Sequence, residues 1–113
     1  MLPLFLSVPR STTSLSFFRN KLTSLIGRLT SGSNPDLREL NLGGNLIDSI
    51  KTQNFFNLKK LEVLRLNDNA MNLVQGGSFA TQTALRVLDL SGNQLAFGLG
   101  DGLFDDNAAL EEL

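Results

Sequence analysis

The sequence predicts an α/β fold: a right-handed solenoid, a segment of a horseshoe, with a parallel sheet on its concave side and a mostly irregular convex side. Three observations carry this expectation. An apolar block of one shape begins at Leu37, Leu61 and Leu85, 24 residues apart each time. An asparagine holds the same place in each block and in a looser copy upstream. Within each block apolar and polar residues alternate, which is the period of a strand.

The blocks LRELNLGGNLIDSI, LEVLRLNDNAMNLV and LRVLDLSGNQLAFGL share the pattern LxxLxLxxNxL, with Met71 in the last apolar slot of the second. The upstream copy, TTSLSFFRNKLTSL, has Thr12 for the first Leu and Phe17 for the third. Its Asn20 stands 25 residues before Asn45, which stands 24 before Asn69, itself 24 before Asn93. Three copies in register resemble the leucine-rich repeat family. The 24-residue length with a late Phe is most similar to the repeats of animal extracellular and receptor leucine-rich proteins. Phe55, Phe79 and Phe104 lie six residues before Leu61, Leu85 and Leu110, as Leu6 does before Thr12. The expected units are therefore 12–36, 37–60, 61–84 and 85–109. Residues 1–11 read as the tail of a partial repeat and 110–113 as the start of a further one.

Alternation points Leu15/Phe17, Leu40/Leu42, Leu64/Leu66 and Leu88/Leu90 inward. One such strand cannot bury its apolar side alone, so neighbouring units stack and share a core. Ile47, Ile50, Met71, Val74, Leu95, Leu99 and the phenylalanines extend that core along the return path, where turns and at most single helical turns are expected. Residues 31–36, SGSNPD, form a loop by composition. The turn after each strand leaves backbone groups inside the coil, and an Asn amide can both donate to and accept from them. The family resemblance implies a structural asparagine ladder of Asn20, Asn45, Asn69 and Asn93.

Composition removes several function classes. With no Cys and no His, the chain has no thiol nucleophile, no cysteine zinc site and no histidine base or triad. A net charge of -1 supplies no general attraction to nucleic acid or acidic membranes. The apolar opening run, residues 1–8, is far short of the roughly 20 residues a membrane helix needs, so no direct membrane insertion is expected. Gly98, Gly100 and Gly102 lack the helix and the GK[ST] ending of a phosphate loop. Asp101, Asp105 and Asp106 lack the spacing of an EF-hand loop. No cofactor, no metal and no catalysis are expected, and no glycosylation sequon occurs.

The outward strand positions are Ser14, Ser16, Phe18, Glu39, Asn41, Gly43, Val63, Arg65, Asn67, Val87, Asp89 and Ser91. The family resemblance implies that such a concave face binds partners. The candidates are Glu39, Asn41, Val63, Arg65, Asn67, Val87, Asp89 and Ser91, with a protein as the expected partner. A bland alternative for Arg65 is a polar ladder with Asn41 and Asp89 on adjacent strands. Nine basic and four acidic residues precede or include Arg65, and only Arg86 faces the seven acids beyond it. Sequence position becomes axial position in a solenoid, so the piece is expected to be a dipole, positive at its first end.

Four strands at about 4.8 Å and five residues at about 3.3 Å give a face of about 250 Å², well below the roughly 800 Å² per partner of a standard interface. The expected function is a protein-protein interaction module from a longer receptor or adhesion ectodomain. The alternative is a regulatory or substrate-recruiting segment of an intracellular enzyme. No polar cap is evident at either end, which predicts end-to-end self-association. The isolated chain is expected to melt broadly and with a concentration-dependent midpoint in circular dichroism. A monomeric, sharply two-state melt contradicts this.

Overall fold

Leu15, Leu40, Leu64 and Leu88 each occupy the centre of a three-residue strand. The strands are β1 (Ser14–Ser16), β2 (Glu39–Asn41), β4 (Val63–Arg65) and β6 (Val87–Asp89). In the computed structural model they form one parallel sheet in the order β1-β2-β4-β6. The structure describes residues 9–23, 25, 34–95, 99 and 102–113. The opening run 1–8 with Leu6, residues 31–33 of the loop, and Gly98, Gly100 and Asp101 lie outside the described residues.

The register sets Leu15 beside Leu40, Leu40 beside Leu64 and Leu64 beside Leu88. Every strand thus puts one leucine into the same layer, and Leu40, Leu64 and Leu88 are buried while Leu15 is half-buried. On the return path the described residues contain no helix. They turn repeatedly and add β3 (Ser49–Ile50) and β5 (Leu73–Val74), which pair in parallel as a second, two-stranded sheet. The irregular return path was expected, and this second sheet was not. It forms because Ile50 and Val74, one repeat apart, are both buried and stack in register.

Between the two sheets lies a continuous core in which Leu37, Leu61 and Leu85 repeat, as do Ile47 and Met71. Phe55 stacks on Phe79 with ring centroids 6.3 Å apart, and Phe79 on Phe104 at 6.4 Å. Such offset pairs are worth about 0.5–1.5 kcal/mol beyond the area they bury. Leu99 departs from expectation. Its backbone bridges to Val74, yet the residue is 46% exposed.

Each strand exits into a turn whose tightness is visible in one backbone angle. Arg19, Gly44, Asp68 and Gly92, each immediately before one of the four asparagines, all have φ between 55 and 69°. That left-handed conformation costs an L-residue about 1–2 kcal/mol, and glycine escapes the penalty. The turn carries the chain into the interior, where its polar groups need partners. Asn69 Nδ2 donates to the carbonyls of Leu66 and Asn67 in its own coil and of Leu42 in the preceding one, and its Oδ1 accepts the Ile47 amide. Asn45 makes the equivalent bonds to Leu42, Gly43, Phe17 and the Leu22 amide. Asn93 makes them to Leu90, Ser91, Leu66 and the Met71 amide. Asn20 differs: it is exposed and donates to Phe17 in its own turn.

A second set of buried amides escaped the sequence reading. Asn34, Gln82 and Asn107 stand three residues before Leu37, Leu85 and Leu110, and all three are buried. Gln82 Nε2 donates to the carbonyls of Phe55 and Leu58, and Asn107 Nδ2 to those of Phe79 and Gln82. Asn34 Nδ2 reaches Pro9. The chain is therefore tied from coil to coil on both edges of the core. Replacing Asn69 by Leu leaves buried groups unpaired, and the expected loss is about 1–3 kcal/mol. Asn20→Leu, at an exposed site, is expected to change stability by no more than about 0.5 kcal/mol. Urea midpoints at constant m-value measure both, and equal losses at the two sites contradict the assignment.

Candidate functional site

The four-stranded sheet has a second surface. Residues flanking each central leucine point away from the core, so register carries Ser14, Glu39, Val63 and Val87 into one row and Ser16, Asn41, Arg65 and Asp89 into another. Glu39 and Arg65 are exposed, while Asn41, Val63, Val87 and Asp89 are half-buried. The candidates of the sheet thus converge on one face. Asn67 and Ser91 sit past the strand ends, in the turns, because the strands stop at Arg65 and Asp89. Gly43 points to no open face and is buried. A Cβ there would meet Asn67 Oδ1 at 2.6 Å, so the Asn67 side chain occupies the place a larger residue would need. A shallow depression of about 210 Å³ opens between β1, β2 and β4, edged by Ser14, Ser16, Glu39, Asn41, Val63 and Arg65.

The polar ladder conceivable for Arg65 does not form. Asn41 Oδ1 instead accepts the amide of Gly43 at 2.9 Å. Asp89 Oδ1 accepts the Ser91 amide at 3.0 Å and the Ser91 hydroxyl at 2.6 Å. Both acceptors turn toward the backbone two residues ahead, the local bond Asn and Asp favour in turns. Among the described residues no side chain pairs with Arg65.

The charges that do pair lie at the strand entries. Arg38 meets Glu62 at 3.2 Å, Glu62 meets Arg86 at 3.4 Å, and Arg86 meets Glu111 at 3.2 Å. Hydrogen bonding to Glu111, then to Glu62, holds the Arg86 guanidinium above its usual pKa. A parallel pair, Lys60 with Asp36, spans 3.4 Å. This alternating file was not singled out from the sequence, although the residue after each opening Leu reads Arg38, Glu62, Arg86, Glu111. Exposed pairs of this kind contribute little to stability. Their consequence for the face is that Arg38 and Arg86 are already engaged.

Among the described residues no helix is long and apolar enough to cross a membrane, and no group of three or more acidic side chains is arranged to hold a metal ion.

Comparison with known proteins places this geometry. The leucine-rich repeat family profile matches residues 35–95, more than half of the chain. Toll-like receptor 5 of Homo sapiens is 37% identical over 82 residues, covering 68% of this chain and 10% of that protein. Podocan-like protein 1 of Mus musculus is 34% identical over 90 residues, covering 78% of this chain and 15% of that protein. The crystal structure of a TLR13-ssRNA13 complex superposes with a TM-score of 0.68 at 33% identity, over 88% of this chain and 13% of that one. The chain therefore spans between 10% and 15% of the length of the curated relatives it matches. With stacked parallel strands, buried amides tying coil to coil and a matching profile over most of the described core, the chain belongs to the leucine-rich repeat family.

Proposed function

We propose that the chain is a protein-binding segment of a receptor-like or adhesion ectodomain, acting through the outward rows of its sheet and carrying out no catalysis. The observation behind this reading is the face itself. Side chains of mixed chemistry stand in register on a backbone fixed by the core beneath, so a partner meets them without ordering them first. Glu39, Asn41, Val63, Arg65 and Val87 supply the middle of the contact, with Asn67, Asp89 and Ser91 at its rim. Asn45, Asn69 and Asn93 belong to the scaffold, and Asn20 caps only its own turn.

Four strands of three residues offer an area about 15 Å by 10 Å, a fraction of the roughly 800 Å² a stable interface uses on each side. Together with the small share of each relative that the chain spans, this supports a contact contributing to a longer recognition surface. The animal relatives, one of them a receptor by name, favour an extracellular setting.

A single-stranded RNA is the second reading, favoured by the TLR13-ssRNA13 complex. Against it, the outward rows carry two carboxylates, Glu39 and Asp89, and one guanidinium, where a phosphate backbone calls for an excess of cations.

For a protein partner retained by the chain, Arg65→Glu combined with Asp89→Arg is expected to weaken binding by about tenfold or more, because it sets like charges against each other. Thr52→Lys combined with Gln53→Lys, exposed on the return path, is expected to leave binding intact. Titration calorimetry decides it, and the opposite pattern refutes the face assignment.

A further inference from the structure

One row of the outward face is more organised than the other. Ser16, Asn41, Arg65 and Asp89 share a register, and three of them accept a hydrogen bond from the backbone amide two residues on. Phe18 donates to Ser16 Oγ at 3.3 Å, Gly43 to Asn41 Oδ1 at 2.9 Å and Ser91 to Asp89 Oδ1 at 3.0 Å. These bonds fix which end of each side chain remains available. An amide whose oxygen is held toward the turn presents its Nδ2 protons elsewhere, and a hydroxyl that accepts still keeps its proton.

Arg65 is the exception in the row, since a guanidinium has no acceptor to offer its own turn. It has no acid partner either. Glu62 already takes Arg38 and Arg86. Asp89, beside Arg65 in register, has Oδ1 occupied by Ser91. What remains is a file of donors on three adjacent strands about 4.8 Å apart: the Ser16 hydroxyl, the Asn41 Nδ2 and the Arg65 fork. Among the described residues none of the three has an acceptor, and all three edge the depression.

We propose that this donor file is a carboxylate-recognition site, which seats the side-chain carboxylate of an Asp or Glu from a protein partner against Arg65, with Asn41 Nδ2 donating to the same group. The proposal rests on the concave-face reading. A planar fork matches a carboxylate with two parallel bonds, and the neighbouring amide donor extends the match. The surrounding charge sets the valence of the ligand. Glu39 at the depression and Asp89 at the end of the file flank Arg65 with two negative charges. One carboxylate can pair directly with the Arg65 fork, whereas each further charge of a polyanion meets only Glu39 and Asp89. The site therefore selects an isolated acidic side chain over a phosphate chain.

The test is an NMR titration of the 15N-labelled chain with the N-acetylated, C-amidated peptide Gly-Glu-Gly. Parallel titrations use its Gly-Gln-Gly isostere, inorganic phosphate and a single-stranded RNA oligonucleotide. The Asn41 Nδ2 and Arg65 Nε resonances are expected to move with the Glu peptide and to stay in place with the Gln peptide. Arg65→Gln is expected to abolish the response, and Arg65→Lys, which keeps the charge and loses the fork, to weaken it by about tenfold. Arg65 is exposed, so unchanged Ile47 and Met71 amide positions confirm that both variants remain folded. Absence of movement with the Glu peptide overturns the proposal, as does equal movement with the Gln peptide. Movement with phosphate or RNA at lower concentration than with the Glu peptide overturns it too. If the double charge reversal abolishes partner binding while the Glu peptide leaves Asn41 and Arg65 unmoved, the concave-face reading stands and the carboxylate site falls.

Discussion

Everything in this chain depends on the need to satisfy backbone groups at the place where each strand turns into the interior. A parallel sheet built from three-residue strands supplies few bonds of its own, and the turn after it cannot be solvated once coils stack. Asn45, Asn69 and Asn93 meet that need with one side chain each, donating within their own coil and to the one before while accepting an amide of the preceding coil. An amide left without such a partner in the interior costs about 1–3 kcal/mol, comparable to burying one of the leucines beside it. Apolar stacking and amide bonding are thus of similar weight per side chain.

The same geometry shapes the outward face of the sheet. The chain leaves each strand toward a left-handed residue, Gly44 for one and Asp68 for another, and the amide two residues past the last strand position lies within reach of that position's side chain at Asn41 and Asp89. Asn41 and Asp89 close onto that amide, and Arg65 cannot. The one guanidinium in the outward rows is therefore left free by the logic of the scaffold. The proposed site on the face would then follow from turns that hold the core together.

Much of the fold was legible in the sequence, because a stacked coil repeats its demands. Leucines alternate where a strand must bury one side, and spacing of 24 residues turns directly into the register of Leu40, Leu64 and Leu88. The ion-pair file of Arg38, Glu62, Arg86 and Glu111 was legible too, once the residue after each opening Leu is read as a column. The amide set of Asn34, Gln82 and Asn107 was harder to see, because Leu58 occupies the matching place in the unit between Asn34 and Gln82. Other features were beyond the pattern. Alternation continues through Gly43, yet the strand ends at Asn41 and the Asn67 side chain covers that glycine. Outward positions could be named from period alone. Which of their polar atoms are consumed by the turn and which remain for a partner depends on side-chain bonds two residues along, and periodicity does not encode that choice.

The asparagine side chains should hold the turn amides as firmly as the sheet holds its own. Native-state hydrogen exchange of Ile47 and Met71, whose amides bond to Asn69 and Asn93 Oδ1, tests it most directly. Protection is expected of the same order as for Leu42 and Leu66, whose amides bond to the carbonyls of neighbouring coils. Exchange of Ile47 and Met71 as fast as that of an exposed turn amide such as Gln53 would contradict it.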